Sequence, residues 1–151
     1  MKTLVTVDAS VFVNSLSPDE EGSDTSAEFI SQLKKEGSEF IQPTLFLPEV
    51  VASIARKQDS AEIALEVLQE LRKIPKLTLI DLDDAIADLA SEIAADHRLR
   101  GSDAVYAEVV LRFGTELITL DKEQLDRLPK VLKVKKPKCP PTRSNCMLRK
   151  A

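Results

Sequence analysis

Apolar positions along this chain fall into two alternating spacings. Leu4, Val5 and Val7, interleaved with Thr3 and Thr6, stop at Asp8 and predict a strand over about 3–7. A short helical stretch follows at about 9–16, and residues 17–23 read as a polar loop. Asp24 then opens a helix with Ala27, Ile30 and Leu33 three residues apart, ending before Gly37. Glu39-Phe40-Ile41-Gln42 is a second short strand. Pro48 suits the first turn of a helix, where its missing N–H would have no partner in any case, and that helix carries Val50, Val51, Ile54 and Ala55 to about Lys57. Ser60 opens the next, with Ile63, Val67, Leu71 and Ile74 on one face, and Pro75 ends it.

The pattern repeats in the second half. Leu77, Leu79 and Ile80 predict a third strand, and Asp83 or Asp84 begins a helix bearing Ile86, Leu89, Ala90, Ile93 and Ala94. Gly101-Ser102 break the chain before a helix with Val105, Tyr106, Val109, Val110 and Phe113 on one face. A strand over 116–120 ends at Asp121, a short helix runs to about Leu128, and Val131-Leu132-Lys133-Val134 predict a last strand. Strands alternating with helices imply parallel strands and right-handed crossovers: a three-layer α/β/α sandwich around a central parallel sheet. The expected organisation is one domain over 1–134 and a flexible, Pro-containing basic tail over 135–151.

Composition narrows the class. At 151 residues with 43% hydrophobic content, the chain can bury roughly 68–70% of its unfolded surface, so a core needs no disulfide or metal staple. No apolar run approaches the ~18 residues of a membrane span, and the N-terminus lacks the features of a signal peptide, so a cytoplasmic protein is expected. Cys139 and Cys146, both near the C-terminus, are expected as reduced thiols. The net charge of −4 conceals an asymmetry. Residues 129–151 carry eight of the 21 basic residues and no acid, leaving 13 against all 25 acids in the body. An acidic body with a basic tail is a different object from a mildly acidic protein.

In an open parallel sheet, ligands gather outside the C-terminal strand ends. Asp8 and Asp121 follow strands, Asp103 begins a helix, and Glu49 lies in the first turn of the Pro48 helix. Each alone also reads as a cap or first-turn acid. If they converge, each like-charge pair at about 4 Å costs about 4 kcal/mol at an effective dielectric near 20, so a proton or cation must offset them. Carboxylates without His or Cys partners favour a hard ion, Mg²⁺ or Mn²⁺, which suits phosphodiester hydrolysis. Other chemistries lack their parts. The four glycines are too dispersed for a phosphate loop, no GxSxG occurs, and His97, the one histidine, has no zinc-ligand spacing with Cys139 and Cys146. A haloacid-dehalogenase-type phosphatase would want an aspartate where Ser10 stands.

The order of these motifs carries a resemblance. Val7-Asp8-Ala9-Ser10, Pro48-Glu49-Val50-Val51, Gly101-Ser102-Asp103-Ala104-Val105-Tyr106-Ala107 and Ile118-Thr119-Leu120-Asp121 together resemble the PIN-domain ribonucleases, nearest the single-domain VapC-type toxins of toxin–antitoxin pairs. The resemblance spans about residues 3–134. It implies a PIN-like fold and a Mg²⁺- or Mn²⁺-dependent endoribonuclease in which Asp8, Glu49, Asp103 and Asp121 form the catalytic, metal-coordinating set. Ser10 and Thr119 match hydroxyl positions beside that set, and Glu123 stands where some members place a further acid. Where members often continue the last motif with an aromatic, this chain has Gln124-Leu125, a departure read as affecting packing more than chemistry.

The implied partners are an RNA substrate and a small antitoxin protein. Arg98 and Arg100, just before Asp103, are candidate phosphate contacts, and the Lys-rich tail is a second candidate for backbone contact. The amphipathic stretches 24–36 and 60–74 could form a homodimer face or hold an antitoxin peptide, although core packing is the commoner use of such stripes. A reading from another class is a non-catalytic PIN-like module that binds RNA or regulates through its tail or a protein partner. A nuclease of DNA ends or flaps is weaker, because the chain lacks room for the extra helices such enzymes carry.

Overall fold

In the computed structural model, which describes residues 3–138, the first strand, β1 (Leu4–Val7), lies at the centre of a five-stranded sheet. β2 (Glu39–Pro43) and β3 (Leu77–Ile80) extend the sheet to one side of it, and β4 (Glu116–Ile118) and β5 (Val134–Lys135) to the other. Every pairing is parallel, in the order β3-β2-β1-β4-β5. The expected α/β/α class with a central parallel sheet is therefore what the chain adopts. β1 to β2 is crossed by α1 (Ala9–Ser15) and α2 (Ser23–Lys35), and β2 to β3 by α3 (Phe46–Gln58) and α4 (Ala61–Arg72). β3 to β4 is crossed by α5 (Asp84–His97) and α6 (Gly101–Phe113), and α7 (Lys122–Arg127) precedes β5. The chain fills one half of the sheet, then jumps back over β1 to start the other. A right-handed crossover that reverses its direction lands on the opposite face, so the helices flank the sheet and a crevice opens at the reversal.

Local chemistry explains the helix starts. Asp8, Ser60, Asp83 and Asp121 sit in extended backbone and each accepts a backbone N–H at the helix entrance, from Ser10, Ile63, Ile86 and Gln124. α2 departs from expectation: its cap is Gly22 in a left-handed conformation (φ 81°), not Asp24, which lies in the first turn. The last strand also moves. Instead of pairing over 131–134, residues after the buried Leu128 turn back, with Val131 and Leu132 donating to the Leu128 carbonyl, and only Val134–Lys135 join β4. β4 itself stops at Ile118, two residues short of the expected end. The tail beyond residue 138, with Cys139 and Cys146, lies outside the described residues.

The core is apolar and continuous, running from Val5, Val7, Phe40, Leu117 and Ile118 on the strands to Val50, Ile54, Val105 and Val110 on the helices. Phe12 and Phe46 meet in a tilted pair with ring centroids 5.5 Å apart. One polar side chain inside it shapes the sheet. β1 and β2 pair only at Leu4↔Glu39 and Val5↔Phe40. Beyond that point the fully buried Gln42 takes over the ladder: its Oε1 accepts from Val7 N at 2.6 Å and its Nε2 donates to Val7 O at 2.7 Å. The Thr6 hydroxyl, also buried, donates to Ile41 O at 2.7 Å. A side-chain bridge in place of backbone pairing holds β1 and β2 apart while leaving both strands satisfied.

Candidate active site

At the C-terminal rim, beside the reversal of strand order, lies an open cavity of about 730 Å³. All four predicted acids line it: Asp8 at the end of β1, Glu49 on α3, Asp103 on α6 and Asp121 after β4. The β1–β4 pairing sets the first against the last, because the ladder Val7↔Ile118 continues into Asp8 N donating to Ile118 O at 2.8 Å. The Ser10 and Thr119 hydroxyls each accept a backbone N–H beside these acids. Ser10 Oγ accepts from Leu120 N at 3.1 Å, tying α1 to the loop after β4, and Thr119 Oγ1 accepts from Asp121 N at 2.9 Å.

Two side chains stand among the acids. Arg100 donates through Nε to Asp103 Oδ2 at 3.0 Å and through its terminal nitrogen to Asp121 Oδ2 at 2.5 Å. Gln124, fully buried, donates from one amide nitrogen to Asp103 Oδ1 at 3.0 Å and, longer, to Asp8 Oδ1 at 3.4 Å. The sequence reading of Gln124 as a packing departure is thereby corrected: its amide is a polar bridge between two of the acids. The motif explains why this was hidden. Asp121-x-x-Gln124 has the form of a capping box, in which the glutamine side chain would turn back to its own cap. Here the backbone half forms, Gln124 N to Asp121 Oδ1 at 3.0 Å, while the amide reaches across the site.

Burial dominates the electrostatics. Removing Asp8 from water raises its pKa, partly offset by its hydrogen bonds from Ser10 and Gln124. Burial likewise lifts Asp103 to about 6, against the opposing pull of Arg100. Glu49 rises to about 7 through burial, with the negative charges of Asp8 and Asp103 adding to it. The buried Tyr106 hydroxyl lies beside Glu49 and favours its anion, yet neither that hydroxyl nor Glu49 Oε1 completes a hydrogen bond. Glu49 lines the cavity, and its Oε1 is a buried acceptor without a hydrogen-bond partner.

Not every candidate converges. Glu123 turns away, 47% exposed and 3.8 Å from Arg127, and does not line the cavity. Arg98 ends α5 in a left-handed conformation, with its carbonyl accepting from Arg127, and also lies outside the cavity. Arg100 enters it, but onto carboxylates. Among the described residues, no three His, Cys, Asp or Glu side chains stand in an arrangement that could hold a metal ion. The bridging contacts show why: a guanidinium joins Asp103 to Asp121, and an amide joins Asp103 to Asp8. The donor chemistry nevertheless fits a hard divalent ion. The four side chains offer carboxylate oxygens alone, and Glu49 Oε1 lacks the partner that a buried acceptor requires.

A family model described as the PIN domain matches residues 5–131. A comparison with curated proteins gave no match. Among solved structures, the chain is similar to VapBC2 from Rickettsia felis bound to a DNA fragment from its promoter, with TM-score 0.67 and 14% identity over 89% of this chain and 98% of that one. It is similar to VapC20 of Mycobacterium tuberculosis, a sarcin–ricin-loop-cleaving toxin, with TM-score 0.68 and 13% identity over 81% and 94%. VapBC-1 from nontypeable Haemophilus influenzae matches with TM-score 0.64 and 11% identity over 89% and 98%. At such identities the structures share a fold, and the family model covers most of the sequence: the chain belongs to the PIN domain family.

Proposed function

We propose that this protein is a Mg²⁺- or Mn²⁺-dependent endoribonuclease, acting as the toxin of a toxin–antitoxin pair. The observation that carries the reading is the convergence of Asp8, Glu49, Asp103 and Asp121 on one cavity at the sheet's C-terminal rim. Family membership and the likeness to the sarcin–ricin-loop-cleaving toxin VapC20 and to a toxin–antitoxin complex from Klebsiella pneumoniae support it. Asp8, Asp103 and Asp121 would hold the ion, with Glu49 completing the set. The ion, when bound, supplies Lewis-acid polarisation of the phosphate and a water of lowered pKa. The protein's own residues do the rest. Glu49, which lines the cavity, orients or deprotonates a water, since a carboxyl titrating near neutrality exchanges protons at working pH. Gln124 and the Ser10 and Thr119 hydroxyls fix the carboxylates and the loop that carries them. Arg100 offsets negative charge between Asp103 and Asp121 and is the basic side chain nearest to an incoming phosphate.

An apolar cavity of about 270 Å³ supports an antitoxin partner. α1, α2 and α4 line it with Phe12, Leu16, Ile30, Val67 and Leu71, and Leu16 and Ile63 remain more than two-fifths exposed. Among the described residues, no helix is long and apolar enough to cross a membrane. The test is cleavage of fluorogenic RNA with and without EDTA. Cleavage lost on chelation and in Asp103→Asn is the expected result, and activity surviving both overturns the metal mechanism. Tight RNA binding without turnover would instead favour the non-catalytic module.

A further inference from the structure

The cavity is longer than the acid cluster, and its far end has the opposite charge. Its floor is one face of α3: Glu49, Ala52, Ser53 and Arg56 line it at the i, i+3, i+4, i+7 spacing that stacks side chains along a helix. Seven residues at 1.5 Å each put Arg56 roughly 10 Å along the axis from Glu49. Between them Ala52 and Ser53 carry only short side chains, which leaves a trough. The opposite wall is α1, through Ser10, Val13 and Asn14, with Glu20 from the following loop. Asn14 is buried and locked there, donating to Glu20 and to the Glu21 carbonyl and accepting from Ser26 Oγ at 2.7 Å.

At the far end Lys57 is neutralised by Glu20. Arg56 is exposed, and among the described residues no carboxylate pairs with it. The trough thus runs from a carboxylate rim to a free guanidinium, the group that best matches the fork of a phosphate.

We propose that Arg56 binds an RNA backbone phosphate neighbouring the scissile one, so that the Glu49–Arg56 face of α3 is the track along which single-stranded RNA enters the site. The roughly 10 Å separation is too long for one phosphate to touch both ends, and corresponds to about one to three nucleotides of strand. The inference rests on the ribonuclease reading, and the experiment separates the two.

RNA binding is measured by fluorescence anisotropy on a fluorescein-labelled single-stranded RNA oligonucleotide, with Mg²⁺ present and in the Asp103→Asn background to prevent turnover. Adding Arg56→Ala should weaken binding about fivefold and reduce the slope of log affinity against log salt by about 0.7, the loss of one phosphate contact to a single strand. Arg56→Lys, which keeps the charge, should restore the slope. In otherwise wild-type protein, Arg56→Ala should raise KM with kcat within about twofold, the mark of lost uniform binding. Arg72→Ala, on the last turn of α4 and away from this cavity, should change none of these. Cleavage by the wild type with KM and salt slope unmoved by Arg56→Ala overturns the track and leaves the nuclease standing. An Arg56-dependent salt slope in a protein that never cleaves RNA supports the track while the nuclease reading fails.

Discussion

Gln42→Leu isolates the device that separates β1 from β2. Leucine nearly preserves the volume of a fully buried side chain but removes both bonds to Val7, whose N–H and C=O then have no partner in the core. An unsatisfied buried backbone group costs about 1–3 kcal/mol, so the pair costs about 2–6 kcal/mol. That is a large share of the 5–15 kcal/mol that holds a typical domain together. At about 2–4 °C per kcal/mol for a chain of this size, the melting point should fall by roughly 5–20 °C. Urea unfolding followed by far-UV circular dichroism gives the free energy directly, and an unchanged m-value would confirm that stability rather than compactness has changed. Gln42→Glu keeps the acceptor for Val7 N–H and regains a donor only when protonated, so its deficit should shrink as pH falls. If Gln42→Leu unfolds within about 0.5 kcal/mol of wild type, the side-chain bridge contributes nothing and β1 and β2 are parted by something else.

The site acids should make the metal-free protein less stable as pH rises. Glu49 titrates at about 7 in the fold against 4.5 as a free side chain, so between those values the native state binds more protons than the unfolded one. The full linkage is about 3–4 kcal/mol, and solvent screening of this part-exposed carboxyl reduces the expected drop in stability to about 2–3 kcal/mol. Melting in EDTA across that range should show the fall, and Glu49→Gln should lessen it, leaving the part due to Asp8 and Asp103; stability rising from pH 4.5 to 7 would refute the buried-carboxylate account. Asp103→Asn should abolish cleavage by about a hundredfold or more yet raise the metal-free melting point, because it removes one charge from a crowded set; a lower melting point would show that the Arg100 contact outweighs the repulsion. Arg100→Gln should lower the melting point in EDTA and enlarge the stabilisation gained on adding Mg²⁺, since the guanidinium then no longer competes for Asp103 and Asp121. Gln124→Leu should shift the acidic limb of the pH–rate profile upward, as Asp8 and Asp103 lose the donor that favours their anions.

The elements were readable because hydrophobic spacing and caps agree. Asp8, Ser60, Asp83 and Asp121 stand at helix starts in the sequence, and each caps its helix in the fold. The last strand was misplaced because Val131-Leu132 has strand-like composition while Leu128, buried at the end of α7, draws those residues into a turn. Among the candidate site residues, the four acids stand out in the sequence only through the order of their motifs, since each alone reads as a helix cap or first-turn acid. Gln124 and Tyr106 were not, since a buried glutamine in a capping-box motif and a tyrosine on an apolar helix face have ordinary explanations in one dimension. Arg100 was found, but with its carboxylate partners unseen, because the contact to Asp121 joins residues 21 positions apart on different elements. Gln42 was read only as the last residue of a strand; nothing local marks a side chain that substitutes for a backbone neighbour 35 positions away.

The pairing of β1 with β4 also governs when the site comes into being. The bridge from Gln124 to Asp8 spans 116 positions and that from Leu120 to Ser10 spans 110, so no early fragment of the chain contains the rim. A growing polypeptide that has released α1 through α6 still has no neighbour on one side of its central strand, and lacks Asp121, Thr119 and Gln124 altogether. Contacts of such range form late and slowly. For a protein proposed to cut RNA, this order of assembly keeps the nascent chain inert beside the ribosome and message that are making it, and limits its action to molecules whose synthesis has passed α7.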